Sequence, residues 1–302
     1  MSAAEAVAAA WRAAASAARQ AGVDVTVLRH PDEFRAAAAL FGVVWATSPE
    51  AGPGPADLLR ALSHAGNYVA GAWRDGVLAG CSAGFLGLAA GPAAAARRLR
   101  LHSHVTGVLP DGRGAGVGFA LKQHQRAWAL ERGITEVGWT FDPLIRRNAF
   151  FNLVKLGAEV VAYEPRFYGE MTDGINAGDE SDRCVVRWRL LDDRVAVASQ
   201  GVAVEPDAAL VEDAAVVLRE GERGEPVADD AALAGALTSG GPAGAGVALR
   251  CWVPADLVAV RGSDPARALA WRRGLRATMG EAMRAGWTAT GMTRAGWYLL
   301  TR

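Results

Sequence analysis

Val105-Thr106-Gly107-Val108-Leu109-Pro110-Asp111-Gly112-Arg113-Gly114-Ala115-Gly116-Val117-Gly118 is the stretch on which the reading of this chain turns. A strand-like run enters it and a helix-like run leaves it. Four glycines fall within the seven residues 112–118. A turn of this kind aims successive backbone N–H groups at one point, beside the positive end of the helix dipole. An anion, most simply a phosphate, suits that point. Glycine lets it approach where a Cβ would stand in the way, and so many glycines make a poor helix start unless something binds there. Two familiar phosphate loops do not fit. A Walker A loop ends in Gly-Lys followed by Ser or Thr, whereas this turn ends Gly118-Phe119-Ala120. A dinucleotide loop needs a third glycine where this chain has Phe119 or Val117.

Outward from the turn, strand-like and helix-like patterns alternate over residues 23–190. Residues 23–29 read as a strand and 31–45 as a helix with Pro31 early in its first turn. Residues 67–73 and 77–86 read as strands joined by the hairpin signal Arg74-Asp75-Gly76. Residues 99–108 form the strand that feeds the turn, and 118–132 the helix that follows it, ended by Gly133. A strand is predicted over 136–141. A helix is predicted over 143–156, with Asp142 as its N-cap, Pro143 as its first residue and Gly157 just past its end. Strands at 160–163 and 184–190 flank a polar loop at 164–182.

The pattern that fits the turn is Arg113-x-x-Gly116-x-Gly118, with Val108 and Pro110 spaced before it. This segment resembles the pyrophosphate loop of the GNAT (general control-related N-acetyltransferase) superfamily. Downstream, Asn148-Ala149 followed by Lys155-Leu156-Gly157 resembles that superfamily's second cofactor motif. The resemblance covers about residues 25–190. The wording of Leu101-His102-Ser103-His104, Trp139-Thr140-Phe141-Asp142-Pro143 and Phe167-Tyr168-Gly169-Glu170 is similar to a bacterial predicted-acetyltransferase subfamily with a C-terminal extension. What the resemblance implies is a GNAT fold with a mixed central sheet. It also implies acyl-CoA (acetyl-CoA or another CoA thioester) as co-substrate, and transfer of an acetyl, succinyl or other acyl group to the amine of a small molecule such as an amino acid. Thr106, Val108, Arg113, Gly114, Ala115, Gly116, Gly118 and Asn148 then fall at cofactor-binding positions.

In such enzymes the amine attacks the thioester directly, so its proton needs a base or a water relay. Many family members carry a glutamate on the strand eleven residues before the Arg113 position; this chain has His102 there. His104, two residues on, faces the same side of a strand. Imidazole is neutral enough at pH 7 to accept a proton. The pair reads either as base and partner or as polar packing; a metal site lacks an evident third ligand, so no metal is expected. The tyrosine that commonly protonates the leaving thiolate is replaced by Leu153. Tyr168 is the better substitute and Tyr163 the other. Asn148 and Asn152 share a helix face. An acyl-CoA-binding module without catalysis, and a GNAT-fold enzyme of another acyl-CoA reaction such as decarboxylation, remain as alternatives.

The 302 residues carry 32 basic and 32 acidic side chains, which argues against a nucleic-acid surface. No apolar run reaches the roughly 18 residues that a membrane span needs. Glu5, Arg12 and Arg19 make residues 1–20 an amphipathic helix rather than a leader. Three scattered cysteines favour reduced thiols and a cytoplasmic setting. The ten tryptophans are expected mostly in core packing. A boundary is placed near residue 192, separating a catalytic domain (1–191) from an α+β region (192–302). That region is predicted to hold a short strand at 202–204, a hairpin over 214–228, a Gly/Ala connector within 234–246, a strand at 247–253, a helix at 265–285 and strands near 288–293 and 296–300. Arg261-Gly262-Ser263-Asp264-Pro265-Ala266 aligns with 113–118, suggesting a degenerate half-repeat that binds no CoA. Its apolar helix face packs on the first domain or on a second subunit of a homodimer.

Overall fold

Ser2 opens the first helix by accepting from the Glu5 N–H, while the Glu5 carboxylate accepts from the Ser2 N–H. Gly22 ends it at φ 62°, in the left-handed region. Ala6, Ala10, Ala14, Ala17 and Ala21 form its buried stripe, small enough for close approach of another helix. The amphipathic reading of the N-terminal segment is therefore what the chain adopts.

The computed structural model describes residues 2–88, 98–112, 114–169, 180–238 and 248–302. Its elements begin α1 (Ala3–Ala21), β1 (Asp24–Val27), α2 (Pro31–Trp45), α3 (Ala56–His64), β2 (Tyr68–Arg74), β3 (Val77–Leu88), β4 (Leu99–Val108), α4 (Val117–Glu131) and β5 (Glu136–Phe141). Then come α5 (Arg146–Phe150, continued by a wide-turn segment Phe151–Lys155), β6 (Glu159–Glu164), β7 (Arg183–Arg189), α6 (Asp193–Ala198) and α7 (Ala208–Asp213). The rest are β8 (Ala215–Glu220), β9 (Pro226–Ala228), α8 (Asp230–Thr238), β10 (Leu249–Trp252), α9 (Leu257–Ser263), α10 (Pro265–Leu275), α11 (Glu281–Arg284), β11 (Thr288–Met292) and β12 (Trp297–Thr301). A second wide-turn segment, Arg276–Gly280, joins α10 to α11. The architecture is mixed α/β with parallel and antiparallel strand pairs, and it divides into two units. One comprises Met1–Trp139 and Arg189–Gly201; the other takes the described residues of 140–188 and 202–302.

In the first unit the strand order is β1-β2-β3-β4-β5, antiparallel except for the parallel β4–β5 pair. The α4 crossover makes that parallel step, as a right-handed β–α–β connection does. One face packs Phe34, Leu40 and Phe41 of α2 and Leu59 of α3 against Val69, Ala83 and Val105. The other packs Ala17 and Ala21 of α1 and Val117, Ala120 and Leu121 of α4 against Ala72.

In the second unit the order is β7-β6-β11-β12-β10-β8-β9, antiparallel except for β10–β8. The proposed alignment of the C-terminal region with residues 100–141 does not hold. β4 and β5 are parallel neighbours, whereas β12 lies between β10 and β11. Residues 261–263 belong to α9 instead of forming a glycine turn, and Asp264 caps α10 by accepting from the Arg267 N–H. A different correspondence is present. α5 and α10 both pass into wide-turn segments. Each helical run is followed by a glycine in the left-handed region, Gly157 (φ 68°) and Gly286 (φ 93°). The strands after them, β6 and β11, each carry a register shift beginning three residues past the glycine, at Val160 and Ala289, and each pairs antiparallel with the next strand. Val160 and Ala289 are also paired with each other, so corresponding residues meet across a local two-fold axis.

Three further readings are corrected. The helix predicted over 143–156 starts at Arg146, with Ile145 at its N-cap. Asp142 instead accepts from the Leu144 N–H two residues on and receives both amino groups of Arg272, so it is not a helix cap. Residues 202–204 form no strand; the Val204 N–H donates to the Val154 carbonyl. Part of the 234–246 run lies in α8, and 239–247 are outside the described residues.

Candidate functional site

A bulge interrupts β4 where it pairs with β3. Ala83 pairs with Val105, but the next residue, Gly84, pairs with Ser103, leaving His104 as the extra residue. The alternation of side chains flips at that point. Val105 packs on the α2 face and Val108 on the α4 face. Ser103, which shares the parity of Val105, nonetheless accepts a hydrogen bond from Lys122 of α4. His102 and His104 gather around Phe85 of β3, with ring centroids 4.9 and 5.8 Å from it and 6.3 Å from each other. His104 Nε2 lies 3.2 Å from the Pro53 carbonyl oxygen, on the loop that leads to α3.

Among the described residues β4 and β5 pair at Leu101–Val137 and His102–Gly138. Both strands run on past those residues. Burial, then the neighbouring His104, Arg100 and Lys122, push the His102 imidazole down to about 4. It is neutral at physiological pH, and a weaker base than an ordinary imidazole.

At its other end β4 delivers the glycine turn. Gly114 and Gly116 sit at φ 84° and 85°, where an L side chain is strained. Gly116 is the N-cap of α4, and no side chain caps that helix among the described residues. No acidic residue stands in its first turn. The first N–H groups of a helix lack intrahelical acceptors, so this end presents donors and a positive dipole. Cβ atoms built at Gly114 and Gly118 meet no close protein atom, the nearest to Gly118 being Val108 at 3.8 Å. That space suits a group lying against the backbone. Ala115 is an exposed residue of the same turn. Thr106 Oγ1 is 2.8 Å from Ser82 Oγ, a contact between neighbouring strands. Arg113 lies outside the described residues.

No family model matches the chain. No curated protein matches it either. Among solved structures it is similar to an N-acetyltransferase from Staphylococcus aureus Mu50, at 13% identity and TM-score 0.44, covering 56% of this chain and 98% of that one. It is similar to the ribosomal-protein-S18-alanine N-acetyltransferase from Escherichia coli at 14% identity and TM-score 0.44, covering 56% of this chain and 94% of that one. A GNAT-family acetyltransferase from Streptococcus pneumoniae aligns at 12% identity and TM-score 0.42, over 55% of this chain and 98% of that one.

The remaining expected residues belong to the second unit. Tyr168 is exposed; its hydroxyl is 3.3 Å from Thr140 Oγ1, and Phe167 stands edge-on to its ring. Tyr163 is buried and donates its hydroxyl proton to Asp182 at 2.7 Å, so that proton is committed. Burial, and then Asp182, push the Tyr163 phenol well above its ordinary range. Asn148 is exposed on α5, whereas Asn152 is buried; the wide turn that starts at Phe151 separates the two environments. Among the described residues no group of three or more His, Cys, Asp or Glu side chains is arranged to hold a metal. No described helix is long and apolar enough to cross a membrane, and all three cysteines are free and buried.

Sequence reasoning gave no place to Lys122 and Gln125, and named Ser103 and Trp139 only as parts of longer motifs. The available signal was the run Lys122-Gln123-His124-Gln125-Arg126, five polar residues filling more than a full turn of one helix. On an ordinary surface helix such a run is the solvated face. Here all five are buried.

Proposed function

We propose that the chain is an acyl-CoA-dependent N-acyltransferase that moves an acyl group to the amine of a small molecule, with its site in residues 1–191. The observation that carries this reading is the continuity of β4. One strand leads from the His102–His104 pair to a positive-φ glycine turn at a helix N-terminus that no described side chain caps. Gly114, Ala115, Gly116 and Gly118 then hold the CoA pyrophosphate with backbone N–H groups. The pantetheine arm follows β4 past Val108 and Thr106. From Val108 back to Ser103 is five residues, roughly 17 Å of strand, which matches the reach of that arm.

In the reaction the amine nitrogen bonds to the thioester carbon, the carbon–sulfur bond breaks, and CoA leaves as thiolate. The amine loses one proton, which His102 accepts directly or through a water. His104 orients that proton path, held by Pro53. The site needs no metal for these steps. Calorimetry of the full chain with CoA and acetyl-CoA tests the reading, together with thiol release in the presence of a panel of amines. Micromolar CoA binding and amine-dependent release are expected. Absence of any CoA binding would remove the reading.

A further inference from the structure

A cavity of about 360 Å³ lies between α1, β1 and α4, at the edge of the first unit's sheet. None of its lining residues belongs to β4 or to the glycine turn. Ala15 and Ala18 of α1 and Val23 and Val25 around the start of β1 give it apolar walls. Alanine on the helix side is what leaves the space, because a longer side chain there would fill it. Trp11 of α1 and His124 of α4 add two rings set edge to face, with centroids 5.2 Å apart. The volume falls in the range of small-molecule sites, roughly 300–1,000 Å³, near its lower end. It suits one molecule of amino-acid size.

Two charged residues line the same cavity, Arg19 and Asp24. Both are exposed. Among the described residues neither side chain has a hydrogen bond or an ion pair, with the other or with any neighbour. Opposite charges that share one hollow and do not close on each other leave room for a partner carrying both signs. His124 adds no third charge. Its Nδ1 is 3.0 Å from the Tyr68 hydroxyl, and burial pushes the imidazole down to about 4, so the ring is neutral near pH 7. The cavity thus combines an apolar interior with one cation and one anion, and its complement is an apolar body that carries a zwitterion.

We propose that the cavity between α1, β1 and α4 binds a free α-amino acid with a large apolar side chain, at a site separate from the residues of acyl transfer. The amino acid's carboxylate pairs with Arg19, whose guanidinium matches it in geometry. Its ammonium pairs with Asp24. Its side chain lies against Val23, Val25 and the rings of Trp11 and His124. Burial of that side chain supplies most of the affinity, because exposed ion pairs contribute little each. The two charges select. An acid without an ammonium leaves Asp24 facing a like charge, and an amine without a carboxylate leaves Arg19 facing one.

Calorimetry of the full chain with L-phenylalanine, 3-phenylpropionate and phenethylamine tests this. The last two keep the ring and its chain and carry one charge each. Phenylalanine is expected to bind at about 1 mM or tighter, and each analogue at least about threefold more weakly. Arg19→Ala and Asp24→Asn change exposed side chains, so both variants should fold as the native chain does, and each is expected to weaken phenylalanine binding by about threefold or more. Ala15→Trp, also at an exposed position, lays an indole into the space and is expected to abolish binding. In His102→Ala phenylalanine affinity is expected to stay as it is in the native chain, since that imidazole is not part of the cavity. No binding of phenylalanine, equal binding of the three ligands, or binding that survives both Arg19→Ala and Ala15→Trp would overturn the proposal. Binding lost in His102→Ala but kept in Arg19→Ala would overturn it too, by assigning the amino acid to the acyl-transfer residues.

Discussion

At Gly116 the backbone is held at φ 85°, and a built Cβ lies 3.5 Å from the Ala21 side chain, an ordinary contact. Space is therefore not the reason for glycine here; conformation is. A β-branched residue in the left-handed region is a true outlier, costing more than the roughly 1–2 kcal/mol of an ordinary side chain. Gly116→Val is expected to rearrange the turn, leave the fold in place by circular dichroism, and weaken CoA binding by about tenfold or more. Unchanged affinity would place CoA elsewhere. His102 gives a second test. Removing a general base costs about 10²-fold or more in turnover, so His102→Ala should lose at least that while CoA affinity stays put. Turnover within twofold of native would assign the imidazole to packing. Burial, ahead of any charge effect, also pushes His124 down to about 4; its Nδ1 is 3.0 Å from the Tyr68 hydroxyl. Unfolded histidine binds its proton near pH 6.5, so both residues weaken the fold as pH drops from there toward 4. Thermal melts of His102→Gln and His124→Gln should each show a shallower loss over that window than the native chain.

Elements differ in how much of them the sequence disclosed. The glycine turn, the strand before it and the helix after it were legible because glycine spacing and strand patterning are local signals. The bulge at His104 was not, since it is a mismatch between two strands and belongs to neither alone. The buried polar run of α4 was hidden for a related reason: only packing on both sides reveals that Lys122 is interior. Asp142 misled because an aspartate before a proline reads as a cap, whereas its partner Arg272 is 130 residues away. That pair makes an element-level prediction. Arg272 is 1% exposed and Asp142 is 14% exposed. Asp142→Ala takes the carboxylate from a buried guanidinium and is expected to cost about 3 kcal/mol or more in denaturant unfolding. Asp142→Leu combined with Arg272→Met should recover most of it, as apolar replacements of buried pairs do.

At the scale of the molecule, the second unit is built from two stretches that are distant in sequence. β6 and β11 are its central pair, and corresponding residues Val160 and Ala289 face each other across them. The ties between the stretches are polar as well as apolar. Arg276 donates to both Asp182 and Glu180, Arg146 to the Val253 carbonyl, and the Tyr298 hydroxyl to the Pro143 carbonyl at 2.7 Å. Burial pushes the Asp182 carboxyl up, and Arg276, the Arg166 N–H and the Tyr163 hydroxyl outweigh it, holding it below its ordinary range. A chain ended at Gly201 would lose Arg276 from beside that carboxylate and leave the backbone edge of β6 without β11. A bare edge strand is a template for association, and a buried carboxylate without its cation is strongly destabilising. The 1–201 fragment is therefore expected to elute from gel filtration as dimers or larger species, with weak near-ultraviolet circular dichroism, while the full chain gives a sharp aromatic spectrum. Asp182→Asn in the fragment should recover part of the aromatic signal by removing the stranded charge. A 1–201 fragment that is monomeric and gives the full chain's cooperative melt would show that 202–302 is an addition to an already stable fold, and that the β6–β11 pairing contributes little to its folding.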